Sequence, residues 1–379
     1  MIHDLTSSPV NTVLSADQDA APVLVNVFLR GGADGLHLVP PVGDDAYYRA
    51  RPSLAVKKMR ALGLDDMFGL HPDLAPLLPT FQSGELAVIH QCGTADESRS
   101  HFEAEDYLQH GGPQGGGWIG RFLHQTRTPS DGPLTAVSIG SAVSDCLRGA
   151  AAVAFRSLDE FTLPDKDPAL RGQLAALYGK AGGALGLAGG QTLQALDRIE
   201  AVRKSPGSPE NGASYANDDF ASGLSLIARL VRARVGLRAA TIELGGWDSH
   251  FTQLALTGSL MPRLAAGLAA FHRDLGSEMR RVHVIVMSEF GRRVAGNVSL
   301  GTDHGRAGIA FVMGGGTKGG KVLADWPMSG LIASALDGPG DLPVRFPIHH
   351  AITSVLKRIR RDAEITKVFP GLPQGELTV

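Results

Sequence analysis

Two textures alternate along the chain. Short runs of aliphatic and β-branched residues close on glycines, and longer Ala/Leu-rich stretches carry apolar positions at helical spacing. VLVNVFLRGGADG (23–35) has the first texture and predicts a strand, then a Gly-Gly loop carrying an acid. HPDLAPLLPTFQSGELAVIHQCG predicts an amphipathic helix running into a second strand, LAVIHQC. DESRSHFEAEDYLQHGG predicts a helix that begins near Ser100 and ends before Gly111-Gly112. TAVSIG and AAVAF read as two further strands.

From about 156 to 235, Ala, Leu, Gly and Arg recur at helical spacing, interrupted by the polar loop RKSPGSPENGASYANDD. This region is expected to be a mainly helical insertion. GLRAATIELGGWDSH returns to strand logic, and a helix over roughly 255–277 leads into VHVIVMSEFGRR (282–293). AGIAFVMGGG is a last strand. Strands alternating with helices predict a three-layer α/β sandwich with a mostly parallel central sheet. Residues 23–379 are expected to form one domain, preceded by a flexible segment, 1–22.

Composition narrows the partners. The 379 residues are 43% hydrophobic and 20% charged, enough for a sizeable core, and a net charge of -2 gives no electrostatic footprint for nucleic acid or an anionic membrane. No uninterrupted apolar run approaches the ~18 residues of a membrane span. Cys92 and Cys146 allow one disulfide at most and sit in no metal-type CxxC. Residues 1–22 lack a basic region followed by an apolar stretch, so the sequence as it stands predicts a cytoplasmic protein, or a periplasmic one if an export leader has been removed.

The candidate chemistry lies where strands end. Three strands finish on Asp34, on Asp248 with His250, and on Glu289, and Asp303-His304 lies on the loop after the last of these. Carboxylate and imidazole are ligands for divalent ions, and open α/β sheets gather ligands at the C-terminal edge of their strands. Singly, each has a plainer reading: Asp34 and Asp248 as turn acids, Glu289 as an ion-pair partner of Arg292 or Arg293, the histidines as loop residues. Together they predict a metal site. Ser100 reads locally first as the cap of its helix, since SHFE fits S-x-x-E with Glu103 at the third position, and second as a group placed to meet a phosphate or sulfate at a helix N-terminus. GGTKGGKV (315–322) is a decoy for a phosphate loop, because Val322 stands where Ser or Thr would hold magnesium.

FLRGGADGL, SRSHFEAEDYLQHG, GGWDSH, MSEFGRR, GTDHG and FVMGGGTKGG run in order over about residues 25–325. As a set they resemble the bacterial domain-of-unknown-function family fifteen-hundred-and-one, itself similar to the alkaline phosphatase and sulfatase superfamily. The resemblance implies an alkaline-phosphatase-like sandwich with one or two divalent ions (manganese, magnesium, calcium or zinc) beside a serine nucleophile. By that resemblance Asp34, Asp248, His250, Glu289 and His304 are ligands, with Asp303 filling in where Phe290 replaces a ligating residue. Ser100 is the nucleophile, with Ser98 as its alternative, and Arg292 or Arg293 clamps the anion. The implied substrate is a small-molecule or polymer-linked phosphate or sulfate ester. The rival expectation is a degenerate member that binds a metal or anion structurally.

Overall fold

The structure is a computed structural model that describes residues 21–128, 131–163 and 168–379. Most of the segment expected to be flexible, residues 1–20, therefore lies outside the described residues. The main sheet is built from β1 (Val23–Arg30), β2 (Leu86–Gly93), β3 (Ala136–Ile139), β4 (Ala152–Phe155), β5 (Ala239–Gly245), β6 (Val282–Met287), β7 (Gly308–Gly314), β8 (Val322–Leu323) and β9 (Phe346–Pro347). Their order is β8-β2-β7-β6-β1-β5-β3-β4, with β9 also paired to β2. All pairings are parallel except β6–β7 and β2–β7. The longer helices are α1 (His101–His110), α2 (Trp118–Gln125), α3 (Pro168–Ala181), α4 (Gly183–Lys204), α5 (Asp219–Arg232), α6 (Gln253–Leu275) and α7 (Ile348–Ile359).

β1 shows why the sheet is covered on both faces. Its side chains alternate, so Val23, Val25, Val27 and Leu29 join one buried cluster while Leu24 and Phe28 join another. On the first face the helices supply Ile199 and Val202 of α4, Leu224 and Ile227 of α5, and Leu264 and Phe271 of α6. On the second they supply Trp118 and Phe122 of α2 and Ile352 and Val355 of α7. The three-layer α/β sandwich with a mostly parallel sheet is thus the observed architecture. The helical stretch after β4 packs through α4 and α5 onto the same core as the rest of the chain. By length and composition α6, continued to Arg281, could cross a membrane, but half of its most apolar window is buried inside the protein. Cys92 and Cys146 are both free and buried.

Register sets the position of the loops. Arg30 of β1 lies opposite Gly245 of β5, and Phe28 opposite Met287 of β6, so these three strands end together. β7 runs antiparallel to β6, pairing Val286 with Phe311, and therefore begins at the edge where β6 stops. β2 also pairs antiparallel with β7, bringing its last residues beside Gly308. Loops 31–34, 94–100, 246–252 and 288–307 consequently emerge at one edge. The antiparallel β7 is what returns Asp303 and His304 to it.

Two leucines of α6 separate core from surface. Leu264 is fully buried, so Leu264→Ala is expected to cost about 2–5 kcal/mol. Leu254, half exposed on the first turn of the same helix, should cost less than about 0.5 kcal/mol when truncated to alanine. Urea unfolding measures both, and equal penalties would contradict the packing described.

Candidate metal centre

The edge is stitched by a buried arginine. Arg292, 1% exposed, donates from Nε to the Gly32 carbonyl at 2.8 Å and from Nη1 to the Thr302 carbonyl at 3.0 Å. Its Nη2 donates to the Gly31 and Trp247 carbonyls and, at 2.7 Å, to Asp248 Oδ1. One guanidinium thereby joins the loops after β1, β5 and β6. The loops can approach this closely because Gly31 (φ 119°) and Gly32 (φ 66°) lack side chains: a Cβ on Gly31 would lie 2.5 Å from the Asp248 nitrogen, and one on Gly32 would lie 2.5 Å from the Phe290 ring.

Three histidines surround Asp248. His304 places Nδ1 2.7 Å from the Arg99 carbonyl oxygen, which only accepts, so Nδ1 carries the proton. His101, the first residue of α1, places Nδ1 2.7 Å from Glu289 Oε1. His250 places Nδ1 3.3 Å from Asp303 Oδ1. With each Nδ1 occupied as donor, each neutral ring presents the lone pair of Nε2. The Nε2 atoms of His250 and His304 lie 2.8 Å apart, and both are 3.2 Å from Asp248 Oδ1. His101 Nε2 is 3.5 Å from Asp248 Oδ2 and, though buried, has no hydrogen-bond partner. The three rings thus turn Nε2 toward the two oxygens of one carboxylate, His250 and His304 toward Oδ1 and His101 toward Oδ2, an arrangement of donor types suited to a divalent ion. His101, Asp248 and His304 have ligand atoms within 4.8 Å of one another, as do His101, Glu105 and Glu289.

These contacts and burial shift the ionisation of the groups. Burial raises the Asp248 carboxyl, but hydrogen bonding and charge from Arg292, with His304 and His250, bring it down to about 2. Burial also raises Glu289, and the His101 bond with backbone and Ser288 donors holds it below its ordinary value. The bond to Glu289 raises His101 against the opposing effect of burial. Burial lowers His304. Asp303 is lowered by the hydrogen bond from Asn297, 3.1 Å away, and by His250.

Several residues expected at the site stand elsewhere in it. Asp34 is 2% exposed and gives both oxygens to Arg51, at 2.5 and 3.1 Å, with Gln253 Nε2 adding a bond at 2.6 Å. It also caps the short helix Gly35–Leu38 by accepting from Leu36 N. Asp34 therefore braces the loops and does not join the cluster. Arg292 has its donors committed to carbonyls and Asp248, so it does not face an anion as the sequence led one to expect. Asp303 lies on the Nδ1 side of His250 and orients that ring. Glu289 likewise orients His101, while its Oε1 also accepts from Gly31 N at 2.8 Å. Phe290 is buried, its ring centroid 4.9 Å from that of His101 and 4.7 Å from that of His304. Ser100 holds the N-cap position of α1, but its side chain makes no cap bond, so the capping box is not formed. Ser98 Oγ donates to Asp96 at 2.7 Å.

His101 is absent from the ligands drawn from the sequence, because its segment was read through Ser100 and Glu103. The available signal was His101 and Glu105, two ligand-type side chains four residues apart and so on one helix face. Arg99, just before them, has φ 54°, a conformation uncommon for a side-chain-bearing residue, and it is the Arg99 carbonyl that meets His304.

Fold and cluster together define an α/β protein with a histidine-rich candidate metal centre at the C-terminal edge of its sheet. The chain belongs to DUF1501, described as a protein family of unknown function, whose profile matches residues 21–335. A comparison with curated proteins returns no match. Among solved structures, it is similar to an alkaline phosphatase from the Antarctic bacterium TAB5, 9% identical over 80% of this chain and 94% of that one, with a TM-score of 0.30. It is also similar to a 2-O GAG sulfatase, 11% identical over 80% of this chain and 66% of that one, with a TM-score of 0.28. Scores that low say nothing about chemistry, which rests on the residues of this chain.

Two substitutions test the site's frame. Burial raises the Asp34 carboxyl, but the charge and hydrogen bonds of Arg51 hold it below 3.8. A depressed acid contributes stability that is fully present above its unfolded value and lost as pH falls through the folded one. Arg51→Met leaves Asp34 buried without that partner and is expected to cost about 3–5 kcal/mol near neutral pH. The penalty should shrink near pH 4, where Asp34 can take a proton. Urea unfolding at the two pH values checks this, and a pH-independent penalty contradicts it. Ser100→Ala, with no cap bond to lose, should change stability by less than about 0.5 kcal/mol, against the ~1 kcal/mol typical of a true cap.

Proposed function

We propose that the chain is a metal-dependent hydrolase of phosphate or sulfate esters. The observation that carries the reading is the convergence of His101, His250 and His304 Nε2 on Asp248, each ring fixed from behind by an oxygen acceptor. These four residues would hold the ion. An imidazole-rich set with one carboxylate suits zinc or manganese better than calcium or magnesium, which favour all-oxygen shells. This departs from the carboxylate-rich set expected from the sequence, because Glu289 and Asp303 support histidines. A divalent ion bound there supplies Lewis-acid polarisation of an ester oxygen and a lowered pKa for a hydroxyl in contact with it.

The chain's own residues supply the rest. Ser100 precedes His101 directly, its hydroxyl is not spent on capping, and the first turn of α1 leaves backbone N–H groups for an anionic group. We assign it as nucleophile. Arg293 is the arginine left to steady the anion: it is partly exposed and held only loosely, 3.7 Å from Asp303 and 3.9 Å from Asp341. One observation favours a second reading, a metal bound without turnover. The commitment of Arg292 to carbonyls removes the strongest anion clamp from the site.

Chelation followed by zinc or manganese add-back is expected to lower and then restore the melting temperature, since an ion bound at 100 times its Kd stabilises by about 2.7 kcal/mol. His101→Ala should lose the metal-dependent shift. Ser100→Ala should keep the shift and lose turnover in a screen of phosphate monoesters, diesters and sulfate esters. No shift with any divalent ion would overturn the metal centre. A shift without turnover of any ester selects the second reading.

A further inference from the structure

The metal centre is flanked by apolar side chains that the fold does not bury. Phe251, next to His250, is 59% exposed, and Leu254 is 50% exposed. The neighbouring loop runs alongside, with Thr252 N donating to the Ser299 carbonyl at 3.0 Å and Gln253 N to the Leu300 carbonyl at 2.9 Å. That loop adds Val298, fully exposed, and Leu300, 54% exposed. On the other side of the histidines, Phe102 follows His101 and is 86% exposed. The two sides are joined through the rings themselves, since His304 lies between His101 and His250 with centroids 4.4 and 4.5 Å away.

Leu300 adds an independent observation. It sits at φ 60°, where glycine or asparagine is accommodated at least cost and a branched side chain is strained. Asn297 imposes that conformation: its side-chain oxygen accepts from Ser299 N and Gly301 N, both at 3.0 Å, while its Nδ2 donates to the His250 carbonyl. Gly301 packs so closely that a Cβ there would lie 2.3 Å from the His250 backbone. The loop that supports His250 therefore also holds a leucine out to solvent in an unfavourable backbone state. Packing in the free protein gains nothing from this, whereas a ligand with apolar surface does.

We propose that the ligand of this centre is an amphiphile: a phosphate or sulfate monoester head whose alkyl or aryl tail lies on the Phe251–Leu254–Val298–Leu300 patch, with Phe102 opposite. The proposal rests on the metal-centre reading above. The head meets the cation and the N-terminus of α1, and the tail removes exposed apolar surface from water. The net charge of -2 offers no electrostatic attraction to an anionic lipid surface, so the occupant is a free alkyl or aryl ester.

Calorimetric titration of the zinc- or manganese-loaded protein tests it with inorganic phosphate, methyl phosphate and monomeric n-octyl phosphate. Octyl phosphate is expected to bind about tenfold or more tighter than methyl phosphate. Phe251→Ser/Leu300→Ser, and separately Phe102→Ser, should shrink that ratio while metal content and melting temperature hold. Equal affinities in the wild type, or an undiminished octyl advantage in both variants, overturn the proposal. Co-flotation with phosphatidic acid vesicles that the double variant loses would overturn the free ester in favour of a lipid surface, and no flotation alongside the octyl advantage supports it. If the wild type holds no metal, the metal-centre reading falls and takes this proposal with it. If it holds metal but does not prefer the octyl ester, only this proposal falls.

Discussion

One buried guanidinium holds the functional edge together. Arg292 carries a full charge into a site 1% exposed and offsets its desolvation with carbonyls from three loops and the Asp248 carboxylate. The loops after β1, β5 and β6 leave parallel strands that end together, and beyond the strand ends they need further alignment. The arginine supplies that alignment, and the glycines at 31 and 32 permit the approach. Asp34 and Arg51 repeat the device one layer below, where Arg51 also reaches the Arg293 and Val294 carbonyls. These buried charges hold the shape of the edge.

With the loops fixed, the histidines acquire fixed tautomers. An imidazole free to rotate offers either nitrogen, but Glu289, Asp303 and the Arg99 carbonyl each take one Nδ1–H. The rings can then present only Nε2 toward Asp248. The close approach of His250 and His304 Nε2 is unfavourable between two neutral acceptors and becomes favourable when a cation or proton stands between them. The strained backbone at Arg99 and Leu300 belongs to the same construction, because one positions an acceptor and the other lies on the loop that supports His250.

Much of this was legible in the sequence, at the level of segments. Apolar runs closing on glycine marked β1, β5 and β6, and α1 runs from His101 to His110 as the SHFE start and Gly111-Gly112 stop indicated. Asp248, His250, Glu289 and His304 do meet at one edge. What the sequence could not express was which layer each residue occupies. Asp34 and Arg292 look like site residues because they sit at strand ends, and only the positions of Arg51 and of the loop carbonyls turn them inward. His101 was hidden by a plausible capping box whose hydrogen bond is not made. The antiparallel turn of β7, which brings Asp303-His304 back, has no local signal, since a buried strand reads alike in either direction.

The central claim is that three imidazoles and one carboxylate converge on a single cation. X-ray absorption spectroscopy of the zinc-loaded protein measures this most directly, because imidazole rings give outer-shell scattering that carboxylates and water do not. The account predicts a first shell of nitrogen and oxygen with about three imidazoles, near 2.0–2.1 Å for zinc, and one fewer in His101→Ala. A shell of oxygen alone, or a spectrum unchanged by that substitution, would contradict it.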